Sequence, residues 1–300
     1  MSLCTICPRQ CLVDRQVRTG FCGATATPEV ASIAIHRGEE PVLSGERGVC
    51  NLFFAHCNLG CIYCQNNEIS RRVVAPDKIF YHSLDEVADR IGELLQSSEP
   101  LLGFVSPSHY ADSIPAIMEA IWQRGLHPTT IYNTNCYDSI ETLRSVDPYI
   151  DIYLPDLKYS DPQLAARYSN AADYPAKARA ALLEMVRLRG TRLLTGDDGL
   201  AFRGIIVRHL VLPGAVDNSI ETLNWIADNI GNNIHLSLMG QYRPPDGMPL
   251  PDELYRTLNS DEYNTVVSHM QQLGFSHGWT QSLDASESCL PNFSKKDSFK

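Results

Sequence analysis

Three cysteines, Cys57, Cys61 and Cys64, stand in the stretch CNLGCIYCQN, spaced four and then three residues apart. Thiolates ligate zinc and iron–sulfur clusters, and structural sites of both kinds usually take four ligands. Either a fourth ligand comes from elsewhere, with His56 or a remote residue completing a zinc site, or the fourth position is open and the chemistry happens there. In the second case three thiolates hold three corners of a [4Fe–4S] cubane and leave one iron free to bind a substrate or cofactor. A second group, Cys4, Cys7, Cys11 and Cys22 in CTICPRQC…GFCG, has the spacing C-x2-C-x3-C-x10-C. These four can satisfy one another on a structural zinc or an auxiliary [4Fe–4S] cluster. Eight of the ten cysteines fall within the first 64 residues, seven of them in these two groups, which reads as metal ligation rather than cross-linking.

The elements that must carry these groups follow from the hydrophobic pattern. Short, nearly continuous apolar runs at 50–55, 101–106, 129–134, 151–155, 204–212 and 234–239 read as strands of a parallel sheet buried on both faces. Helical patterns alternate with them. Ser83 and Glu86 form a capping box, Ile114, Ile117, Met118 and Ile121 share one face, Asp173 precedes Pro175 as a cap, and Asn218 with Glu221 opens a further helix. The alternation predicts a parallel sheet with right-handed crossovers, as an open doubly wound sheet or a barrel. The three-cysteine loop follows the first of these strands, at the end where α/β folds build their sites.

Residues 1–48 read as a small cysteine-rich, metal-binding segment, 49–284 as the α/β unit and 285–300 as a polar tail, frayed over CLPNFSKKDSFK. A hairpin is expected over 191–203, with its turn at Asp197-Asp198-Gly199, and the proline-rich stretch 240–251 reads as a connection or a lid. With 300 residues, 44% of them hydrophobic, the chain can bury a large core. Its net charge of −10 argues against nucleic acid as a partner. No apolar run reaches a bilayer-spanning length, and the opening MSLCTICPRQ reads as neither a signal nor a transit peptide, so the expected location is cytoplasmic.

The C-x3-C-x2-C loop, with aromatic Tyr63 before its last cysteine and a strand before its first, resembles the radical SAM superfamily. The resemblance implies a (β/α)6 partial TIM barrel preceded by the small cysteine-rich segment. It further implies that the open iron chelates the amino and carboxylate groups of S-adenosylmethionine (AdoMet). An electron from the cluster then cleaves the sulfonium, and the 5′-deoxyadenosyl radical abstracts hydrogen. Within the superfamily the chain looks most like the proteins related to pyruvate formate-lyase-activating enzyme that carry an N-terminal C-x2-C-P-R-x-C segment. The matching stretches are CTICPRQC…GFCG, HRGEEPVLSG, CQNNEIS, GFVSPSHY, IYNTNCYDS, DIYLPDLKYSD, VRHLVLPG and LMGQYRPP.

From this resemblance come the candidate cofactor contacts. Tyr63 is placed near adenine. Ser106 and Ser108 stand where relatives carry a glycine-glycine-glutamate run that holds the AdoMet ammonium. Asn133, with Thr134, ends a strand within reach of the ribose. Asp156, Lys158 and Asp161 match a D-x-K-x-x-D element that lies beside AdoMet in relatives and helps bind a monovalent cation. Arg208 matches an arginine that pairs with the AdoMet carboxylate. Cys136, just past the third strand, is a candidate hydrogen donor or a packed loop thiol, while His209 adjoins Arg208 and so faces the core on the other side of its strand. The implied partners are a reductant such as flavodoxin or ferredoxin and a protein substrate, as for a glycyl-radical activase. A small-molecule substrate, or a zinc- or cluster-binding scaffold without turnover, is the alternative.

Overall fold

In a computed structural model describing residues 3–98, 101–283 and 291–299, the cysteine-rich segment contributes a strand of its own. Val30–His36 (β1) pairs antiparallel with Val49–Phe54 (β2), so ladder hydrogen bonds cross the expected boundary at residue 48. The predicted strands follow as Leu101–Val105 (β3), Thr130–Thr134 (β4) and Ile152–Pro155 (β5). Leu194–Thr195 (β6) then forms the expected hairpin with Ala201–Leu210 (β7), with Gly199 in the left-handed region at the turn. His235–Met239 (β8) and Gly278–Thr280 (β9) complete the sheet; the last was not anticipated, being three residues long. The order is β1-β2-β3-β4-β5-β7-β8-β9, parallel from β2 to β9 and not closed between its ends. This is an α/β partial barrel.

The connecting helices are Pro41–Ser44 (α1), Leu84–Ser98 (α2), Ile114–Gln123 (α3), Ile140–Val146 (α4), Pro162–Ser169 (α5), Tyr174–Arg189 (α6), Val216–Asn229 (α7) and Ser260–Gln272 (α8). The capping box before α2 is present: the Glu86 amide donates to Ser83 Oγ (3.2 Å) and the Ser83 amide to Glu86 Oε2 (3.1 Å). Two other expected caps serve elsewhere. Asp173 accepts from the Tyr137 hydroxyl (2.7 Å), and Asn218 lies inside α7, where Oδ1 accepts from the Ser160 and Asp161 amides (2.8 and 3.1 Å). Asn218 therefore clamps the DLKYSD loop. No helix among the described residues is long and apolar enough to cross a membrane.

Two features shape the barrel interior. Leu43 of α1 packs with Val49, Leu101, Ile131, Ile152, Leu154 and Ile206, filling the end of the barrel where the strands begin. Burying a leucine in this way contributes about 1.5–3 kcal/mol. Glu39 and Glu40, immediately before α1, are thereby carried inside. The Asn51 amide donates to Glu39 (2.9 Å) across Gly103, where any Cβ would lie 2.1 Å from Asn51 Oδ1.

The second feature corrects the expectation of a frayed tail. Residues 291–299 fold back on β1 and β2: Phe293 is buried edge-on to Phe53 (5.4 Å between ring centroids), Phe299 stacks on His36 (4.3 Å), and Ser298 meets Ser32 (3.1 Å). Two aromatic anchors outweigh the polar residues between them. Phe293→Ala removes an anchor of about 3–5 kcal/mol and is expected to raise the rate of tryptic cleavage at Lys295 and Lys296 by roughly a hundredfold, read by mass spectrometry.

Candidate active site

The cysteine loop leaves β2 at its C-terminal end and is held from outside by Arg9. The Arg9 guanidinium donates to the carbonyls of Asn58 (2.9 Å), Leu59 (3.1 Å), Ser169 (3.3 Å) and Asn170 (2.6 Å), and stacks over the Phe21 ring (3.7 Å). One planar cation thus ties the N-terminal segment, the loop and the α5–α6 turn together. Each loop sulfur faces a donor. The Leu59 amide and Asn135 Nδ2 point to Cys57 Sγ (both 3.4 Å), Ser169 Oγ to Cys61 Sγ (3.0 Å) and Ser70 Oγ to Cys64 Sγ (3.3 Å). Such donors stabilise thiolates. As bare thiols two of them resist ionisation: burial raises Cys57 and pushes Cys61 up to about 12, against the pull of the nearby Lys158 ammonium.

His56 is not a fourth ligand. Its Nε2 lies 2.8 Å from Glu29 and its Nδ1 2.9 Å from the Arg71 carbonyl. No three His, Cys, Asp or Glu side chains among the described residues stand where one ion could be held. The corners of a cubane lie further apart and need no such convergence.

Cys4, Cys7, Cys11 and Cys22 line one small enclosed cavity with Arg9, Arg15, Asn58 and His109. Burial raises the Cys7 thiol to about 12, and the neighbouring Cys22 and Cys4 add to the rise. The His109 ring approaches the Ala55 carbonyl through Nε2 (2.8 Å), and its buried Nδ1 has no partner. Asn58 connects the two cysteine groups: it lines this cavity, adjoins Cys57, and accepts from Asn135 Nδ2 (2.9 Å).

A larger cavity, of about 300 Å³, occupies the barrel beside the loop. Gln65 and Asn66, the residues after Cys64, form part of its wall, as do Ser106, Asn133, Asp156 and Arg208 from four strand ends. Arg208 is the hub. It donates through Nε to Asp156 (2.7 Å), through Nη1 to Glu39 (3.1 Å) and through Nη2 to Asn133 (2.6 Å). Three of its five N–H donors are thus engaged within the protein. Lys158 Nζ adds a second cation on Asp156 (2.9 Å). Burial alone would raise the Asp156 carboxyl, but Arg208 and then Lys158 hold it below the usual range. Glu39, likewise buried, is kept at about 2 by its hydrogen bond from His36 and the Arg208 charge.

Four of the seven candidate AdoMet contacts, Ser106, Asn133, Asp156 and Arg208, therefore share the cavity. The other three do not line it. Tyr63 packs among Tyr159, Tyr168 and Tyr242 and receives the Tyr159 hydroxyl (2.7 Å), because the loop turns its ring toward the core. Ser108 pairs with Thr134 (3.2 Å), and Lys158 reaches Asp156 from outside the wall. Asp161 caps α5 through the Gln163 amide (2.7 Å). Cys136 is fully buried with its thiol against the Ala178 carbonyl (3.4 Å), which is the packed role rather than the donor role. His209 is a core histidine held by the Leu157 carbonyl (2.6 Å) and Ser219 (2.9 Å). The lid expectation has a footing, since Gln241 and Arg243 line the cavity and Gln65 Nε2 donates to the Arg243 carbonyl (2.7 Å).

No protein-family model matches the chain. It is 26% identical over 271 residues to the uncharacterized protein MJ0674 of Methanocaldococcus jannaschii, covering 88% of this chain and 73% of that protein. Among solved structures it is similar to native anSMEcpe with bound AdoMet, with a TM-score of 0.50, 13% identity and 78% of this chain covered. The match spans 58% of the length of that structure. A domain of pyruvate-formate lyase-activating enzyme from Bacteroides vulgatus superposes with a TM-score of 0.39 at 13% identity, over 58% of this chain and 92% of that domain. The first likeness shows the fold alone, an open parallel α/β barrel shared with that structure.

Proposed function

We propose that this barrel works as a radical SAM enzyme in which Cys57, Cys61 and Cys64 hold a [4Fe–4S] cluster and the adjoining cavity receives AdoMet and substrate. When bound, the cluster and AdoMet supply a 5′-deoxyadenosyl radical, by one-electron cleavage of the sulfonium, that takes a hydrogen atom from the substrate. The carrying observation is the loop itself: three thiols at a strand's C-terminal end, each faced by a donor, beside a cavity. The protein's own residues then do the following. Ser169, Ser70, Asn135 and the Leu59 amide stabilise sulfur charge. Lys158 offsets the charge at Cys61 while fixing Asp156. Ser106, Asn133 and Asp156 present polar groups to AdoMet, and Arg208 keeps Asp156 and Asn133 in place. Tyr63 and Ser108 support these positions from behind. Anaerobic reconstitution with iron and sulfide, followed by dithionite and AdoMet, tests the reading: 5′-deoxyadenosine forms if it holds and is absent if it fails. In the cell a flavodoxin or ferredoxin would supply the electron.

For the N-terminal thiols we favour an auxiliary [4Fe–4S] cluster over zinc, because the cavity that the four share abuts the Cys57 loop. Asn58 sets that cavity against the Cys57 loop, an arrangement suited to electron relay. The reconstituted chain is expected to carry about eight irons, falling to about four in a Cys4→Ala/Cys7→Ala double variant. Loss of a single zinc with iron unchanged sinks the assignment.

An activase-like role, with a protein segment as substrate, rests on DLKYSD and VRHLVLPG. Both segments serve the Arg208 network here, work that any substrate class would need. A small-molecule substrate is the second reading, favoured by Pro291 and Phe299 of the tail lining the cavity and leaving limited room for a protein loop.

A further inference from the structure

Glu40 Oε2, His36 Nε2 and Gln281 Oε1 are buried, have no hydrogen-bond partner, and belong to residues that line the same cavity. A buried polar atom left unpaired costs about 1–3 kcal/mol, so three around one void mark a place that a ligand completes. Two of them are acceptors outright, the Gln281 amide oxygen and the Glu40 carboxylate. Glu39 can only accept, so in the His36–Glu39 contact (3.2 Å) Nδ1–H donates, and in the neutral ring Nε2 is a third acceptor. Glu40 offers a carboxylate oxygen, and the side chain is 8% exposed.

The charge inventory agrees. Asp156 is met by Arg208 and Lys158 and Glu39 by Arg208, whereas no ion pair among the described residues includes Glu40. Arg208 is already shared by Asp156 and Glu39. Burial, and then Glu39 beside it, raise the Glu40 carboxyl despite Arg208, so a bound cation would relieve a real cost.

Taking the cavity as the reaction chamber, as above, we propose that Glu40, His36 and Gln281 bind the primary ammonium group of a small-molecule substrate. An ammonium carries three N–H donors and no acceptor, matching the Gln281 and Glu40 oxygens, the neutral His36 ring and the carboxylate of Glu40 that no ion pair neutralises. AdoMet also carries an ammonium, so the test must separate the two sources.

The probe is n-butylammonium chloride, titrated calorimetrically into the reconstituted holoprotein with and without AdoMet, with n-butanol as the uncharged control. Saturable binding of the amine, absent for the alcohol, is expected. Glu40→Gln should weaken amine binding at least about tenfold and leave AdoMet affinity unchanged. Gln281→Leu, further from the charge network, should weaken it severalfold and serves if the first variant does not fold. Equal binding of amine and alcohol overturns the proposal, as does wild-type amine affinity in the variants. So does a proportional loss of AdoMet affinity in Glu40→Gln, which would give this site to the cofactor. If wild type makes no 5′-deoxyadenosine yet binds the amine, the radical reading fails and the ammonium site stands.

Discussion

Cys57→Ala abolishes 5′-deoxyadenosine formation, with a loss of at least about a thousandfold, and lowers reconstituted iron. The thiol is one of three corners, and neither His56, engaged with Glu29 and Arg71, nor any N-terminal cysteine stands ready to replace it. The fold should survive, because Cys57 sits only partly buried at the margin of the core, with its sulfur turned to the Leu59 and Asn135 amides. Cys136→Ala is the matched control. Its thiol is as buried as any in the chain but bonds to Ala178 under α6, so activity should stay within about twofold while stability falls by about 1 kcal/mol. Cys57→Ala producing as much 5′-deoxyadenosine as wild type would end the enzyme reading.

Arg208→Met is expected to have the largest effect on stability. Three acceptors lose their donor at once: Asp156, Glu39 and Asn133. Removing one partner of a buried ion pair costs about 3–5 kcal/mol, since the other charge is left unpaired. Arg208→Lys keeps the charge but not the three-way fork, and should recover less than half of the loss. Chemical denaturation of the anaerobic protein measures both. Acid titration adds a signature with a definite sign. Glu39 is lowered to about 2 in the fold, so its contribution is complete above the unfolded value near 4.3 and is lost as pH falls toward 2. Asp156 is lowered and acts in the same direction. Glu40 is raised and opposes them, costing stability as pH rises above its unfolded value. In Arg208→Met the acid loss between about pH 4.3 and 2 should shrink but persist, because His36 still lowers Glu39 and Lys158 still lowers Asp156.

Much of this was legible in the residues. Continuous apolar runs gave the strands nearly to their ends, since a strand buried on both faces has little freedom in composition. The three-cysteine loop does leave the first parallel strand at its C-terminal end, and Asp156, Lys158 and Arg208 do meet, though around one another. What stayed hidden depends on where chain segments return in space. Glu39 and Glu40 lie in a stretch whose local pattern says only that a turn precedes Pro41. Nothing short-range reveals that Leu43 re-enters the barrel and carries two carboxylates with it. Arg9 looked like part of a cysteine motif, but its partners are carbonyls as many as 161 positions away. Tyr63 had the expected type and the opposite orientation, which spacing alone does not encode. The tail was misjudged because Phe293 and Phe299 follow neither a helical nor a strand period, so average polarity outweighed the two residues that anchor it.

The plug formed by Leu43 also bears on kinetics. A barrel stopped at the end where its strands begin, with the tail packed along β1 and β2, leaves the rim beneath the cysteine loop and the 240–251 stretch as the way in. Traffic through a single rim is single-file. Whatever settles against Glu40 must arrive before a cofactor lodged higher up and cannot leave until that cofactor's remains have gone. Initial-rate patterns should therefore be ordered, with substrate first and its product last.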